Sequence, residues 1–259
     1  MSAIKFDHVS FSYNNKKEVI SDISFEISKG KTTMLLGKNG SGKTTLLKLL
    51  MNFEKPQNGT IYLYNKNIND YTIIDKSKEM SYVGQDIFNQ FDFTVEDYLL
   101  FGVTNALSMF QLPDKKHLDL VKRFAHKFGI EHLMNKKMDQ ISGGEKQIVM
   151  ICRAFIQNTE IIVMDEPLSA LDFGNQNIIL KLIKNLNKEN KTIIFTTHNP
   201  NHALFLNANF IIIDKCKIVM HGIARENLTL EVLNKVYDGS IGLSKEHFYE
   251  EFSIKNDEV

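Results

Sequence analysis

Residues Gly37 to Thr45 read GKNGSGKTT and stand between two apolar runs, TTMLLG before and LLKLLM after. Gly37, Gly42, Lys43 and Thr44 satisfy the spacing G-x-x-x-x-G-K-[ST] at the junction of a predicted strand and a predicted helix. Glycines let the backbone curl until successive N–H groups converge on phosphate oxygens, and the positive end of the following helix points at the same place. Lys43 is then expected to neutralise the β- and γ-phosphates of a nucleotide, and the Thr44 hydroxyl to ligate Mg²⁺. The bland reading, a glycine-rich turn with an incidental lysine, leaves the strand-to-helix context unexplained.

A second apolar run, IIVMDEP, ends in Asp165 and Glu166. A carboxylate at the end of a central strand beside a phosphate loop can hold the water shell of Mg²⁺, and the next one can orient or deprotonate an attacking water. Asp-Glu-Pro is also ordinary punctuation after a strand, so the pair takes its meaning from the loop.

Bulk properties bound what else the chain can be. At 259 residues with 43% apolar content it can bury a substantial core. Lysine plus arginine equals aspartate plus glutamate at 31 each, so no overall basic field holds nucleic acid or an anionic bilayer, and no nucleic-acid partner is expected. Cys152 and Cys216 match no metal spacing and suit a reduced, cytosolic setting. MSAIKFDHVSFSY lacks a basic region followed by a long apolar stretch, and the apolar runs fall short of the roughly 18 residues a membrane span needs. The chain is therefore expected neither to enter nor to span a membrane by itself.

Along the chain, the alternation in ISFEI and TIYLY predicts half-buried antiparallel strands. From about Asp86 to Gln157 the texture turns helical; HLDLVKRFAHKF puts Leu118, Val121, Ala125 and Phe128 on one stripe, with Pro113 marking its start. The strands EIIVMD, TIIFTTH and FIIID then alternate with the helices NIILKLIKNLNKEN and NPNHALFLN, as in a parallel sheet covered on both faces, and KIVMHG returns after the turn DKCK. The expected organisation is one domain over residues 1–240, with a core at 1–85 and 158–225, a helical insert at 86–157 and a tail at 226–259 that carries one further helix, TLEVLNKVYD.

The segment ISGGEKQIVMICRAF identifies a family. Ser142 to Glu145 is a helix capping box, S-x-x-E, which explains Ser142 and Glu145. It does not explain Gly143 and Gly144, each about 1 kcal/mol worse than alanine in a helix. Glycines serve there if something must approach the backbone. Together with GKNGSGKTT, VGQD, MDEPLSALD and TTH, in that order over nearly the whole chain, the segment resembles the nucleotide-binding subunit of ABC transporters. The family's LSGGQ is written here with Ile141 and Glu145.

The resemblance implies an α/β fold: a P-loop NTPase (RecA-like) core with an antiparallel β subdomain and an inserted α-helical subdomain. It implies that ATP is bound by Tyr13, stacked on adenine, by Val19 beside the base, and by Gly37, Asn39, Gly40, Ser41, Gly42, Lys43, Thr44 and Thr45. Thr44, Gln85 and Asp165 would serve Mg²⁺; Glu166 would be the general base, with Gln85, His198 and Lys43 completing the catalytic set. Ser142, Gly143 and Gly144 would touch the γ-phosphate of ATP bound to a second copy of the chain. Glu145 is expected to turn its side chain away from that phosphate. Ser169 to Asp172 would cross to the partner, where Asp172 helps shape the opposing site.

Two copies would then sandwich two ATP molecules, and hydrolysis would reopen the pair. Transmembrane permease subunits, docked on the helical insert at the cytoplasmic face of the membrane, would turn that motion into transport, with an external substrate-binding protein delivering cargo. NQFDFTVEDYLLFG, LDFGNQ and TTHNPNHALFLNANF look like the ATPases of importers for iron chelates, haem and cobalamin. Siderophore-type iron uptake is the leading expectation, with molybdate, cobalamin and haem as alternatives. A soluble ABC ATPase of the iron–sulfur assembly type and a P-loop kinase are the competing classes; the kinase would leave the Ser-Gly-Gly segment without a role.

Overall fold

Two hydrophobic patterns in the sequence sort into two sheets. The computed structural model describes residues 1–14, 17–84, 92–107 and 111–237. In chain order the elements are β1 (Ser2–Tyr13), β2 (Lys17–Ser28), β3 (Thr32–Leu36), α1 (Lys43–Leu50), β4 (Asn58–Leu63), β5 (Lys66–Asn67), α2 (Ile73–Glu79), β6 (Met80–Val83), α3 (Val95–Leu100), α4 (Lys115–Lys127) and α5 (Gly143–Ile156). There follow β7 (Ile161–Met164), α6 (Phe173–Lys188), β8 (Thr192–Thr196), α7 (Pro200–Leu206), β9 (Asn209–Asp214), β10 (Lys217–Ile223), α8 (Ala224–Asn227) and α9 (Leu230–Val236).

The alternating strands form an antiparallel sheet in the order β2-β1-β4-β5. Its inner face carries Phe6 and Phe25, paired in register with their rings stacked at 4.5 Å. The solidly apolar strands form a second sheet in the order β10-β9-β3-β8-β7-β6, parallel from β9 to β6 and closed by the antiparallel return of β10. Successive residues of β7 serve two different cores: Ile161 and Val163 pack with α1 and the antiparallel sheet, Ile162 and Met164 with α5 and α6. That two-sided burial is why these strands read as unbroken hydrophobic runs.

The helical part of the chain is punctuated by capping boxes at Thr94/Asp97, Asp114/His117 and Ser142/Glu145. Pro113 directly precedes the cap of α4, whose Val121 and Ala125 are buried, and Phe128 just beyond it meets Phe155 of α5 edge-on at 5.2 Å. Arg153 of α5 donates to the Tyr82 carbonyl of β6 at 3.0 Å and lies over the Tyr98 ring, tying α5 to the edge strand. Leu233 and Val236 of α9 are buried, so residues up to Tyr237 pack on the domain.

Three elements depart from the sequence expectation. The helix expected to start at Asn177 begins at Phe173, because the Asp172 side chain caps it by accepting from the Asn175 N–H at 2.8 Å. The pair α2 and β6 carries no sequence pattern of its own: α2 buries no residue and β6 is four residues at the sheet edge. Cys152 is buried, which pushes its thiol pKa up, and Cys216 donates to the Glu18 carbonyl at 3.1 Å. Among the described residues no helix is long and apolar enough to cross a membrane.

Candidate functional site

β3 ends at Leu36, and the chain then needs a tight loop before α1. Gly37, Gly40 and Gly42 take φ of 147°, 78° and 104°, a region that side-chain-bearing residues rarely adopt. At Gly37 there is also no room, since a Cβ would stand 2.3 Å from the Ile213 carbonyl. The loop delivers α1 with Gly42 as its N-cap and no side chain capping it, so the helix's first N–H groups remain available to an anion. Lys43 is 5% exposed and donates to the Gly37 and Lys38 carbonyls at 2.8 and 3.0 Å. Burial pulls its pKa down, and Glu166 and Asp165 push it back up.

A cavity of about 380 Å³ is lined by Val19, Asn39, Gly40, Gly42, Lys43, Thr44, Thr45 and Glu166. Most of the residues expected to hold a nucleotide thus meet there. Gly37 and Ser41 do not line it and shape the loop from behind. Tyr13 stands beside it, its hydroxyl 3.4 Å from the Thr45 hydroxyl and its ring edge-on to Phe11 at 4.9 Å.

The carboxylates arrive by strand register. Met164 of β7 lies opposite Phe195 of β8, so the next residues, Asp165 and Thr196, also face each other. Asp165 is 1% exposed; its N–H donates to the Val83 carbonyl at 2.8 Å and its Oδ1 accepts from the Thr196 hydroxyl at 2.6 Å. Its Oδ2 is buried without a hydrogen-bond partner. A buried carboxylate oxygen left unpaired is costly, and with Thr44 lining the same cavity as Glu166, the residue next to Asp165, these oxygen donors suit a hard divalent cation such as Mg²⁺.

Glu166 sits at φ 45°, and its N–H donates to the Thr196 hydroxyl at 2.6 Å. It also lines a second cavity of about 70 Å³ with Leu168, Ser169, Gln176, Thr196, Thr197, His198, Asn199 and His202. Glu166 is therefore the residue that joins the phosphate loop to His198, which is exposed. Beneath it His202 is buried, with Nδ1 3.1 Å from the Thr197 hydroxyl and Nε2 3.4 Å from the Asn199 amide. Burial, with His198 nearby, lowers the His202 pKa to about 4. Thr196, Thr197, Asn199 and His202 escaped the sequence reading, which drew only His198 from this stretch; the signal was two polar residues closing an otherwise apolar strand.

The remaining expected residues lie elsewhere. Asp172 is exposed and engaged with Asn175 through both carboxylate oxygens, at 2.8 and 2.9 Å, and lines neither cavity. Gln85 lies outside the described residues. Ser142 is exposed at the start of α5, where its hydroxyl accepts from the Glu145 N–H at 3.3 Å and its own N–H donates to the Glu145 carboxylate at 2.7 Å. Those bonds hold the Glu145 carboxyl below the usual range. Glu145, expected to turn away from a phosphate, thus keeps its carboxylate at the helix end. A Cβ on Gly143 would meet nothing within 4 Å, and one on Gly144 would approach the Ala170 carbonyl at 3.1 Å. Ser142, Gly143 and Gly144 line neither of these cavities.

The family model for the ABC transporter matches residues 20–169. An ABC transporter ATP-binding protein of Haemophilus influenzae is 38% identical over 231 residues, 89% of this chain and 88% of that one. A probable iron chelatin transport ATP-binding protein of Helicobacter pylori is 30% identical, covering 91% of this chain and 92% of its own length. A molybdate import ATP-binding protein of Haemophilus influenzae is 29% identical over 91% and 88%. Among solved structures, an inward-facing putative metal-chelate type ABC transporter superposes with a TM-score of 0.78 at 28% identity, covering 92% of this chain and 90% of that one. A dimeric bacterial ABC transporter cassette gives 0.77 at 25%, covering 86% and 99%. The expected α/β nucleotide-binding architecture and the expected resemblance agree with these findings, and the chain belongs to the ABC transporter family, as one of its ATP-hydrolysing subunits.

Proposed function

We propose that this chain binds Mg²⁺-ATP in the phosphate-loop cavity, closes over it with a second copy of itself, and spends the hydrolysis on importing an iron chelate through separate membrane subunits. The observation that carries the dimer is the split between two anion-binding ends: the uncapped start of α1 lines the cavity, while the glycine-bearing start of α5 is exposed and off it. A second copy can bring the missing half. The dimeric cassette among the structural relatives supports this geometry.

In this reading Lys43 leaves the loop carbonyls for the β- and γ-phosphates, and Tyr13 and Val19 flank the base. Thr44, Asp165 and Gln85 hold Mg²⁺, which supplies charge neutralisation at the phosphates. Glu166 takes the proton of the attacking water, with His198 orienting it across the space the two share. Ser142, Gly143, Gly144 and Asp172 act on the partner's nucleotide. The chain sits peripherally at the cytoplasmic face of the membrane, with the insert at 86–157 receiving the permease. The iron chelatin relative and the metal-chelate transporter support that cargo class, and the molybdate relative supports a second one.

The test of the assembly is Glu166→Gln on a sizing column: ATP is expected to convert it to a stable dimer, and a monomer with wild-type turnover defeats the proposal. For cargo, the chain reconstituted with its permease is expected to hydrolyse ATP faster when the binding protein carries an iron chelate; stimulation by molybdate alone reassigns it.

A further inference from the structure

Thr196 is the last residue of β8, fully buried behind four residues that are themselves buried. Packing at such a position is satisfied by valine or isoleucine, so the hydroxyl is what calls for a reason. A threonine hydroxyl has one proton to give and lone pairs to accept with. Here the Glu166 N–H donates to Thr196 Oγ1 at 2.6 Å and the Thr196 O–H donates to Asp165 Oδ1 at 2.6 Å. The result is a directed chain that ends on a charge and fixes the rotation of the Asp165 carboxylate. The other oxygen of that carboxylate is the buried, unpartnered one.

Resting on the ATPase reading above, we propose that Thr196 is a positioning residue for both carboxylates. Its proton decides which Asp165 oxygen is left free to serve the cation, and its lone pair holds Glu166 in the left-handed backbone turn, φ 45°, from which that side chain serves both cavities. Such a turn is sparsely populated for a residue with a side chain and persists where neighbours hold it.

The test compares Thr196→Val, which keeps the shape and loses the hydroxyl, with Thr196→Ser, which keeps the hydroxyl. Mn²⁺ bound together with a non-hydrolysable ATP analogue, followed by electron paramagnetic resonance, reads the cation site without turnover; kcat and KM for ATP are read separately. T196V is expected to lose about 10- to 100-fold in Mn²⁺ affinity and in kcat, while T196S stays within about threefold of wild type in Mn²⁺ affinity, kcat and KM. Equal values for T196V and wild type overturn the inference, and so does an equal loss in T196V and T196S, which would mark a purely structural position. Should T196V not fold, Thr196→Ala carries the same comparison against T196S. A wild-type chain that hydrolyses no ATP would instead defeat the reading on which the inference rests.

Discussion

The chain carries two glycine-bearing helix starts, and they are built in opposite ways. The start of α1 is strained and incomplete: three left-handed glycines, a helix with no side-chain cap, a buried lysine lodged on loop carbonyls, and an orphaned carboxylate oxygen close by. The start of α5 is relaxed and complete: a closed capping box, and a Gly143 with open space around it. Strain and unmet hydrogen bonds mark the site that a ligand finishes within one chain. At the other end glycine is the only oddity, and no positive φ accompanies it.

That contrast breaks first at Glu166, where the two cavities meet. Glu166→Gln is expected to lower ATP turnover by about 10²–10⁴-fold with little change in the melting temperature, as a phosphate-release assay beside a thermal melt will read. Gly37→Ala against Gly143→Ala separates the two ends directly. The first forces a Cβ 2.3 Å from the Ile213 carbonyl at φ 147°, and urea unfolding is expected to show a loss of about 2–4 kcal/mol. The second is expected to hold or gain about 0.5–1 kcal/mol in the same assay, while ATP-driven dimerisation, followed by sedimentation, falls. An equal loss of stability in both would erase the distinction.

A smaller effect concerns pH. His202 has a folded pKa of about 4 against an ordinary 6.5, so the folded chain binds this proton less readily than the unfolded one. Its contribution to stability is full above 6.5 and is lost as the pH falls from there towards 4, and a His202→Gln chain is expected to show a shallower decline of the urea midpoint over that window. The smallest effect is expected from Glu145→Gln. The amide oxygen keeps the box while the charge disappears, and the ATP concentration needed for dimerisation is expected to fall about two- to fivefold, as a titration at low ionic strength will read.

The phosphate loop was legible because its geometry is spelled in residue types: positive φ at three points leaves glycine as the only comfortable choice, and the sequence says glycine three times. The capping boxes were legible for the same reason, each being a local exchange between residues three apart. Thr196 was not legible, because its role depends on the register between β7 and β8, and register is a property of the assembled sheet. The early start of α6 was hidden because a cap at Asp172 precedes the apolar period by a full turn. In the edge pair, α2 has no buried stripe and β6 is too short for alternation to register.

Arg153 gives α5 a second attachment, and with it a mechanical property. The guanidinium holds the Tyr82 carbonyl of the edge strand, roughly 16 Å down a stiff helix from Ser142. That edge strand is the one whose Val83 carbonyl receives the amide of Asp165. The helix whose tip stands exposed is thereby riveted to the bench on which the buried Asp165 is mounted.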